Sequence, residues 1–343
     1  MAETNKIFTE EEIRRLERMP HVALIEEMEA GRYDKALLWC ENLCKLYRYT
    51  FDLRVRWDDQ LSRCIFDNLG ADGIYDVMRW CSFRKKDLEK LRITPEDEQT
   101  IKDLIRDRDI AACRKWIDKQ YKMFRTAHDI RIEWETVLMT FIYEHIGHKA
   151  LFDVMETIMV PAYYSRISEI ANSGFDMRVR VIRCIWGLHS HGESITIKED
   201  DEKVSIWADY CGSGTYLLDR GVYGPPLNCA LCHDLSPNTY CTDNFPIYCS
   251  HSPVQEMASV DLIGFPMVIK TPWDECDEPD YMVAKRCCHS QLYKDPKFIP
   301  DRVYQMLGKK RPSTYYFPGY KGFDFTPDTK AGPGLGDMAL YFD

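Results

Sequence analysis

Apolar residues recur along the first half of the chain at helical spacing. Trp57, Leu61, Cys64, Ile65 and Leu69 fall at i, i+4, i+7, i+8 and i+12, and Trp134, Leu138, Phe141, Ile142 and Ile146 repeat the pattern. Each set makes one stripe on a helix of 3.6 residues per turn, the mark of a helix that buries one face. Gly70 and Gly147 follow the stripes and are expected to end both helices at the C′ position. The stripes belong to a longer internal match. Residues 48–78 and 125–155 align without a gap at an offset of 77, with ten of 31 positions identical, where chance gives about two. Trp39 and Trp116 share the offset, so two copies are expected, at about 30–80 and 107–157, each of two helices followed by a third. Arg48 and Asp52, like Arg125 and Asp129, predict i,i+4 ion pairs worth a few tenths of a kcal/mol. A structural role accounts for the duplicated Asp and Trp. The functional alternative is a pseudo-symmetric pocket, with His128, Asp129 and His145 where the first copy has Phe51, Asp52 and Asn68.

Past Pro161 the pattern changes. A helical stretch broken at Ser173–Gly174 leads into Met177, Val181, Ile185 and Leu188, again at helical spacing. Val204, Ile206, Ala208 and Tyr210 then alternate with Ser205, Trp207, Asp209 and Cys211, which predicts a β-hairpin turning at the charged run 199–203. Residues 265–272 and 280–293 read as strands, the second carrying Arg286, Cys288 and Ser290 on one face. Residues 299–312 read as a short helix opened by Pro300 and closed by Gly308. The predicted fold class is α+β. A duplicated all-α domain (1–160) precedes an α+β domain (161–312) with a small antiparallel sheet and a cysteine-rich, metal-binding region. A Gly/Pro/aromatic tail (313–343) follows. With eight aromatic residues it is expected to wrap its own domain or a second subunit, which makes it the route to a homo-oligomer.

Charge and hydropathy narrow the setting. The chain of 343 residues has a net charge of -10, a pI near 5.5 and a mean hydropathy of -0.41. An acidic surface is a poor match for a nucleic-acid backbone, so no nucleic-acid partner is expected. The N-terminal stretch is charged from Glu3 onward and has no apolar h-region, and no apolar run approaches the roughly 18–20 residues that span a bilayer. The expectation is a cytoplasmic protein without membrane insertion, whose fourteen cysteines are thiols. Cys40, Cys44, Cys64, Cys81, Cys113 and Cys184 lie among apolar helical positions and suit a core. The other eight fall between Cys211 and Cys288, interleaved with histidines.

That second group suggests a metal. Cys229 and Cys232 have the C-x2-C spacing of a zinc knuckle, Cys249 and His251 form a C-x-H pair, and Cys211 and Cys288 sit at strand positions. Thiolates and imidazoles suit tetrahedral zinc, and irregular separations suit an open catalytic site; iron or an iron–sulfur cluster is the alternative. His189 and His191, taken as one face of an extended segment, and Glu193 as a general base, are the catalytic candidates. A polar helix–strand junction is the plainer account of the same residues. Gly212, Ser213 and Gly214 make a turn whose backbone N–H groups can receive an oxyanion or carboxylate, and Arg286 is a further candidate for binding a small-molecule substrate.

The series CGSGTYL, YCSHSPVQEM, GFP and CHSQLYKDPKFIPDRVYQMLGKKRP resembles a bacterial group of uncharacterised proteins with a CGSG turn, a YC-x-H motif and a strand cysteine followed by YKDP. The resemblance spans about residues 185–312. Where that pattern carries a further cysteine after YC-x-H, this chain has Ser252. In layout the region is also similar to aminothiazoline-carboxylate hydrolase-like and vinyl-reductase-like small-molecule domains. The resemblance implies a metal-containing pocket for a small molecule and names no reaction. The leading expectation is a zinc-dependent hydrolase or lyase acting on a small organic acid or heterocycle. A non-catalytic binding or scaffold protein with structural zinc, and an iron–sulfur redox protein, are the alternatives.

Overall fold

The computed structural model describes residues 6–80, 88–192, 194–208, 210–270, 288–320, 322–331 and 338–342. Helices α1 (Glu10–Leu16), α2 (Pro20–Glu29) and α3 (Tyr33–Trp80) lead through α4 (Pro95–Arg106) to α5 (Ile110–His145), α6 (His148–Asn172) and α7 (Met177–His189). Their starts are locally encoded. Thr9 with Glu12, and Thr94 with Asp97, form capping boxes, and the Asp109 and Asp176 carboxylates accept from the first turns of α5 and α7. Such caps are each worth about 1 kcal/mol.

The two helices expected ahead of each repeat glycine are a single helix in both copies. Neither Tyr33–Leu69 nor Ile110–His145 contains a glycine or proline, so nothing in the backbone interrupts α3 before Gly70 or α5 before its end. Gly70 (φ 67°) and Gly147 (φ 114°) do break the helices where expected, because their left-handed dihedrals strain any residue with a Cβ. The predicted i,i+4 pair forms only in the second copy, Arg125 to Asp129 at 2.6 Å. Arg48 pairs with Glu98 instead, and Asp52 with Arg92, since residues 88–106 bring opposite charges to α3.

Positions 77 apart meet across the α3–α5 interface. Tyr47 and Phe124 stack, with ring centroids 4.1 Å apart and planes 6° off parallel. Arg54 bonds Glu135 at 2.7 Å, and Arg131 bonds Asp58. Arg54 and Arg131 are one such pair of positions and Asp58 and Glu135 another, so the two buried ion pairs are reciprocal.

The sheet has the order β1 (Ile195–Glu199), β2 (Lys203–Ala208), β5 (Cys288–Tyr293), all antiparallel, with Ile195 opposite Ala208 and Ala208 opposite Cys288. The hairpin turns at the charged residues, as its alternation predicted. Between β2 and β5 lie α8 (Gly214–Asp219), the short antiparallel pair β3 (Leu231–Cys232) and β4 (Phe245–Pro246), and α9 (His251–Ile263). The strand expected at 265–272 is reduced, over its described part, to one bridge between Ile269 and Gln291. Arg180 of α7 is buried and donates to the carbonyls of Tyr293, at 2.8 Å, and Met267, fastening the helix to the sheet edge. The final helix α10 (Asp301–Met306) follows Pro300 and stops before Gly308 (φ 63°).

Each of two apolar clusters draws on both halves of the chain. One joins Trp57, Leu138 and Ile142 to Tyr248, Cys249 and Phe265, and the other joins Leu24, Trp39 and Cys44 to Trp186, Val204 and Cys288. Position 160/161, where the sequence changes character, lies inside α6, which runs through Pro161. The described parts of the tail pack on their own chain: Phe317 meets Phe175 at 5.2 Å, and Tyr341 meets Trp39 edge-on at 5.3 Å. No described helix is long and apolar enough to cross a membrane.

Candidate functional site

Where α7 ends, the chain turns through Ser190 and His191 and faces the middle of α3. There α3, α6 and α9 enclose a cavity of about 100 Å³. Arg54 and Trp57 come from α3, Tyr163 and Arg166 from α6, and His251 and Glu256 from α9. Trp186 and His191 close one side, Lys270 and Ser290 another. A second chamber of about 600 Å³ adjoins it, and Tyr49, Leu53, Trp57, Ala162 and Arg166 line both. Concave, aromatic-walled spaces with a few convergent polar groups are the usual form of small-molecule sites.

His191 is the most constrained polar group of the inner chamber. Its Nδ1 lies 2.6 Å from Ser213 Oγ, 3.1 Å from His128 Nε2 and 3.2 Å from Arg54 Nη2. A guanidinium only donates, so Nδ1 accepts and the neutral ring carries its proton on Nε2. His128 Nδ1 in turn lies 3.0 Å from Asp129 Oδ1, which also accepts from Arg125 at 2.6 Å. A neutral His128 thus has one proton for two acceptors, Asp129 on one side and His191 on the other, which is the condition for a proton relay.

Electrostatics keep both histidines neutral. Burial, reinforced by the Arg54 charge, holds His191 well below the ordinary histidine range, and burial with Arg125 does the same to His128. Burial pushes Asp129 up to about 6 against the pull of Arg125. Arg125 also locks the backbone around the site, donating to the carbonyls of His191 and Gly212.

The sequence candidates separate into groups. His191 and His251 both line the inner chamber; His251 Nδ1 lies 2.6 Å from the Tyr248 carbonyl oxygen, and its ring sits edge-on to Trp57 at 5.5 Å. His189 does not share a face with His191, because it ends a helix and is not on an extended segment. It is 1% exposed, neither of its ring nitrogens has a partner among the described residues, and burial, reinforced by the His21 charge, holds it down at about 3. Gly212, Ser213 and Gly214 are buried rather than open to a ligand. The Gly214 N–H is taken by Cys211 Sγ at 3.1 Å, and Gly212 is needed because a Cβ would overlap the His191 carbonyl. Glu193 and Arg286 lie outside the described residues, as does Cys81. His145 lies against Phe141, ring centroids 4.3 Å apart and planes tilted by 37°, and lines neither chamber.

The proposed metal ligands do not gather at one point. Cys229, Cys232 and Cys249 are buried in the first apolar cluster, Cys211 and Cys288 in the second, and His251 at the cavity. Burial pushes the Cys232 thiol up to about 12, which disfavours the thiolate that metals bind. Among the described residues no group of three or more His, Cys, Asp or Glu side chains is placed to hold a metal ion. None of the described cysteines is disulfide-bonded, and Cys40, Cys44, Cys113 and Cys184 are buried as the helical pattern suggested.

Arg54, Arg166, Glu256 and Lys270 were not singled out from the sequence. Arg54 carried a usable signal, an Arg followed four residues later by an acid in both copies; the other three are ordinary charged residues until the fold turns them inward. Compared with known proteins, the chain matches no family model, and neither a curated protein nor a solved structure is significantly similar to it.

Proposed function

We propose that the chain is an enzyme of the hydrolase or lyase kind that binds a small organic anion in the inner chamber and moves a proton on it through His191. The observation that carries this is the placement of His191 at the cavity wall with Nδ1 held by Ser213, His128 and Arg54, which leaves Nε2 for the bound molecule. In the acid direction, with the Asp129 carboxyl protonated as it is below about pH 6, His191 gives its Nε2 proton to the substrate as Nδ1 takes one from His128 Nε2, and His128 Nδ1 is resupplied by Asp129. One proton leaves the Asp129 carboxyl and one arrives on the substrate. Run backwards, the same chain withdraws a proton.

An anionic substrate is favoured by the lining. Arg54, Arg166 and Lys270 face the chamber against one acid, Glu256, and neither Arg166 nor the Lys270 ammonium has a carboxylate partner among the described residues. Trp57, Tyr163 and Trp186 provide flat walls for a planar body. We also infer that the α3 and α5 regions are copies of one duplicated unit, of which only the second, with His128 where the first has Phe51, took on chemistry.

The test is a thermal-shift screen of small carboxylates and nitrogen or sulfur heterocycles, since a ligand at a hundred times its Kd adds about 2.7 kcal/mol to the native state. His191→Ala should then bind the best ligand within a few-fold of wild type and lose turnover by about 10²–10⁴-fold. A ligand that stabilises the protein but is recovered unchanged after long incubation argues for a binding module instead.

A further inference from the structure

The outer chamber has a polar wall that the proton relay does not use. Arg56 of α3, Arg166 and Glu169 of α6, and Arg183 of α7 line it, opposite the apolar faces of Leu53, Ile158 and Pro161. Arg183 is 4% exposed, and its Nη2 pairs with Glu169, but its Nε and Nη1, like Glu169 Oε1, are buried without a hydrogen-bond partner among the described residues. Buried guanidinium N–H groups are almost always bonded, because leaving a charged donor unsolvated is costly.

A second guanidinium stands beside it. Arg166, stacked over Tyr163 at 5.6 Å, has no carboxylate partner among the described residues. It lies near enough to Arg183 to add to the effect of burial in holding Arg183 down at about 9. Two guanidinium groups, only one of them paired with a carboxylate, therefore stand at the wall of a chamber of about 600 Å³, which the exposed Arg56 also lines. Three arginines against one glutamate leave two positive charges.

We propose that Arg166 and Arg183 form a subsite for a phosphoryl group, so that the molecule taken by this pocket is a phosphorylated small organic compound. Its phosphoryl group stays in the outer chamber while its other end passes Tyr49 and Trp57 into the inner one. A phosphate monoester carries about -1.5 to -2 charges at pH 7 and three acceptor oxygens, which matches the two positive charges at this wall. A single carboxylate would leave one of the charges uncompensated. The location of the reacting end rests on the function proposed above; the phosphoryl subsite itself does not.

The experiment is calorimetric titration of the full chain with inorganic phosphate, at constant ionic strength, with acetate as comparison. Phosphate should bind at one site and raise the melting temperature, while acetate binds at least about tenfold more weakly. Arg166→Gln, a half-buried position whose loss leaves no carboxylate bare, should weaken phosphate by about tenfold or more, and Arg183→Gln should do the same if it folds. His191→Ala should bind phosphate like wild type, which separates this subsite from the relay. Absence of saturable phosphate binding, equal binding by Arg166→Gln, equal affinity for acetate, or loss of phosphate in His191→Ala would each overturn the subsite.

Discussion

At position 51 a phenylalanine lies under two guanidinium groups, Arg131 at 4.6 Å and Arg92 at 5.6 Å from its ring. At the matching position 128 a histidine bonds Asp129 and His191. The helices around the two are closely alike, and each carries one of the reciprocal ion pairs, Arg131 with Asp58 and Arg54 with Glu135. Phe51 and His128, together with Arg54 and Arg131, line one small space of about 10 Å³, closed by Leu91 and Ile93, which is no more than one water needs. Arg54 also lines the cavity of about 100 Å³, together with His191. A π-face can satisfy a cation but cannot pass a proton, whereas an imidazole has two nitrogens and can. Phe51 thus supports two cations, whereas His128, beside the same small space, connects through its second nitrogen to His191 at the cavity.

The comparison can be broken most forcefully at Arg131. Beside Phe51, Arg131→Ala removes the guanidinium from the buried Asp58 carboxylate, and about 3–5 kcal/mol of stability should go with it. Urea unfolding measures this; a loss below about 1 kcal/mol would mean that the reciprocal pairs do not support the fold.

His128→Phe makes the second copy resemble the first. The fold should survive, since the phenylalanine meets the same Phe124 neighbour, whereas turnover of a substrate found by the screen should fall by about 10²-fold for want of the relay. Full activity in this variant would remove His128 from the relay and leave Ser213 as the only proton partner of His191.

A smaller effect lies in the pH dependence of stability. Burial keeps His128 and His191 neutral and holds His189 down at about 3, with His21 and His289 at about 4. Below about pH 6.5 the unfolded chain protonates these histidines and the native chain does not. Stability therefore falls as the pH drops from about 6.5 toward 4, by up to about 1.4 kcal/mol per pH unit for each histidine. Asp129 opposes the trend between about 6 and 3.8, because its raised pKa lets the native state take up a proton first. Melting temperatures from pH 7 to 4 should show the decline, and His128→Phe should make it shallower. An unchanged slope in that variant would show that His128 already titrates normally in the native protein.

What lay in the sequence was what depends on neighbours in the chain. The apolar stripes from Trp57 and from Trp134, the breaks at Gly70 and Gly147, the 77-residue offset, the hairpin of 195–208 and the α+β class all follow from local periodicity and backbone freedom. His191 stood out in the sequence by its H-x-H spacing with His189, and His128 as a polar residue where the matching position holds Phe51. The cysteine cluster is a different case. Density along the chain says nothing about direction in space, and the fold sends Cys232 and Cys249 into one apolar cluster and Cys211 and Cys288 into another.

Partners far apart in sequence were decided only by tertiary structure. Arg54 meets Glu135 across 81 residues and His191 across 137, and Arg166 and Arg183 face one chamber from different helices. No local pattern encodes such meetings. Helical periodicity fixes which face of a helix is buried, whereas the choice of what it is buried against is made by packing whole elements together, and there charge pairing and cavity shape are settled at once.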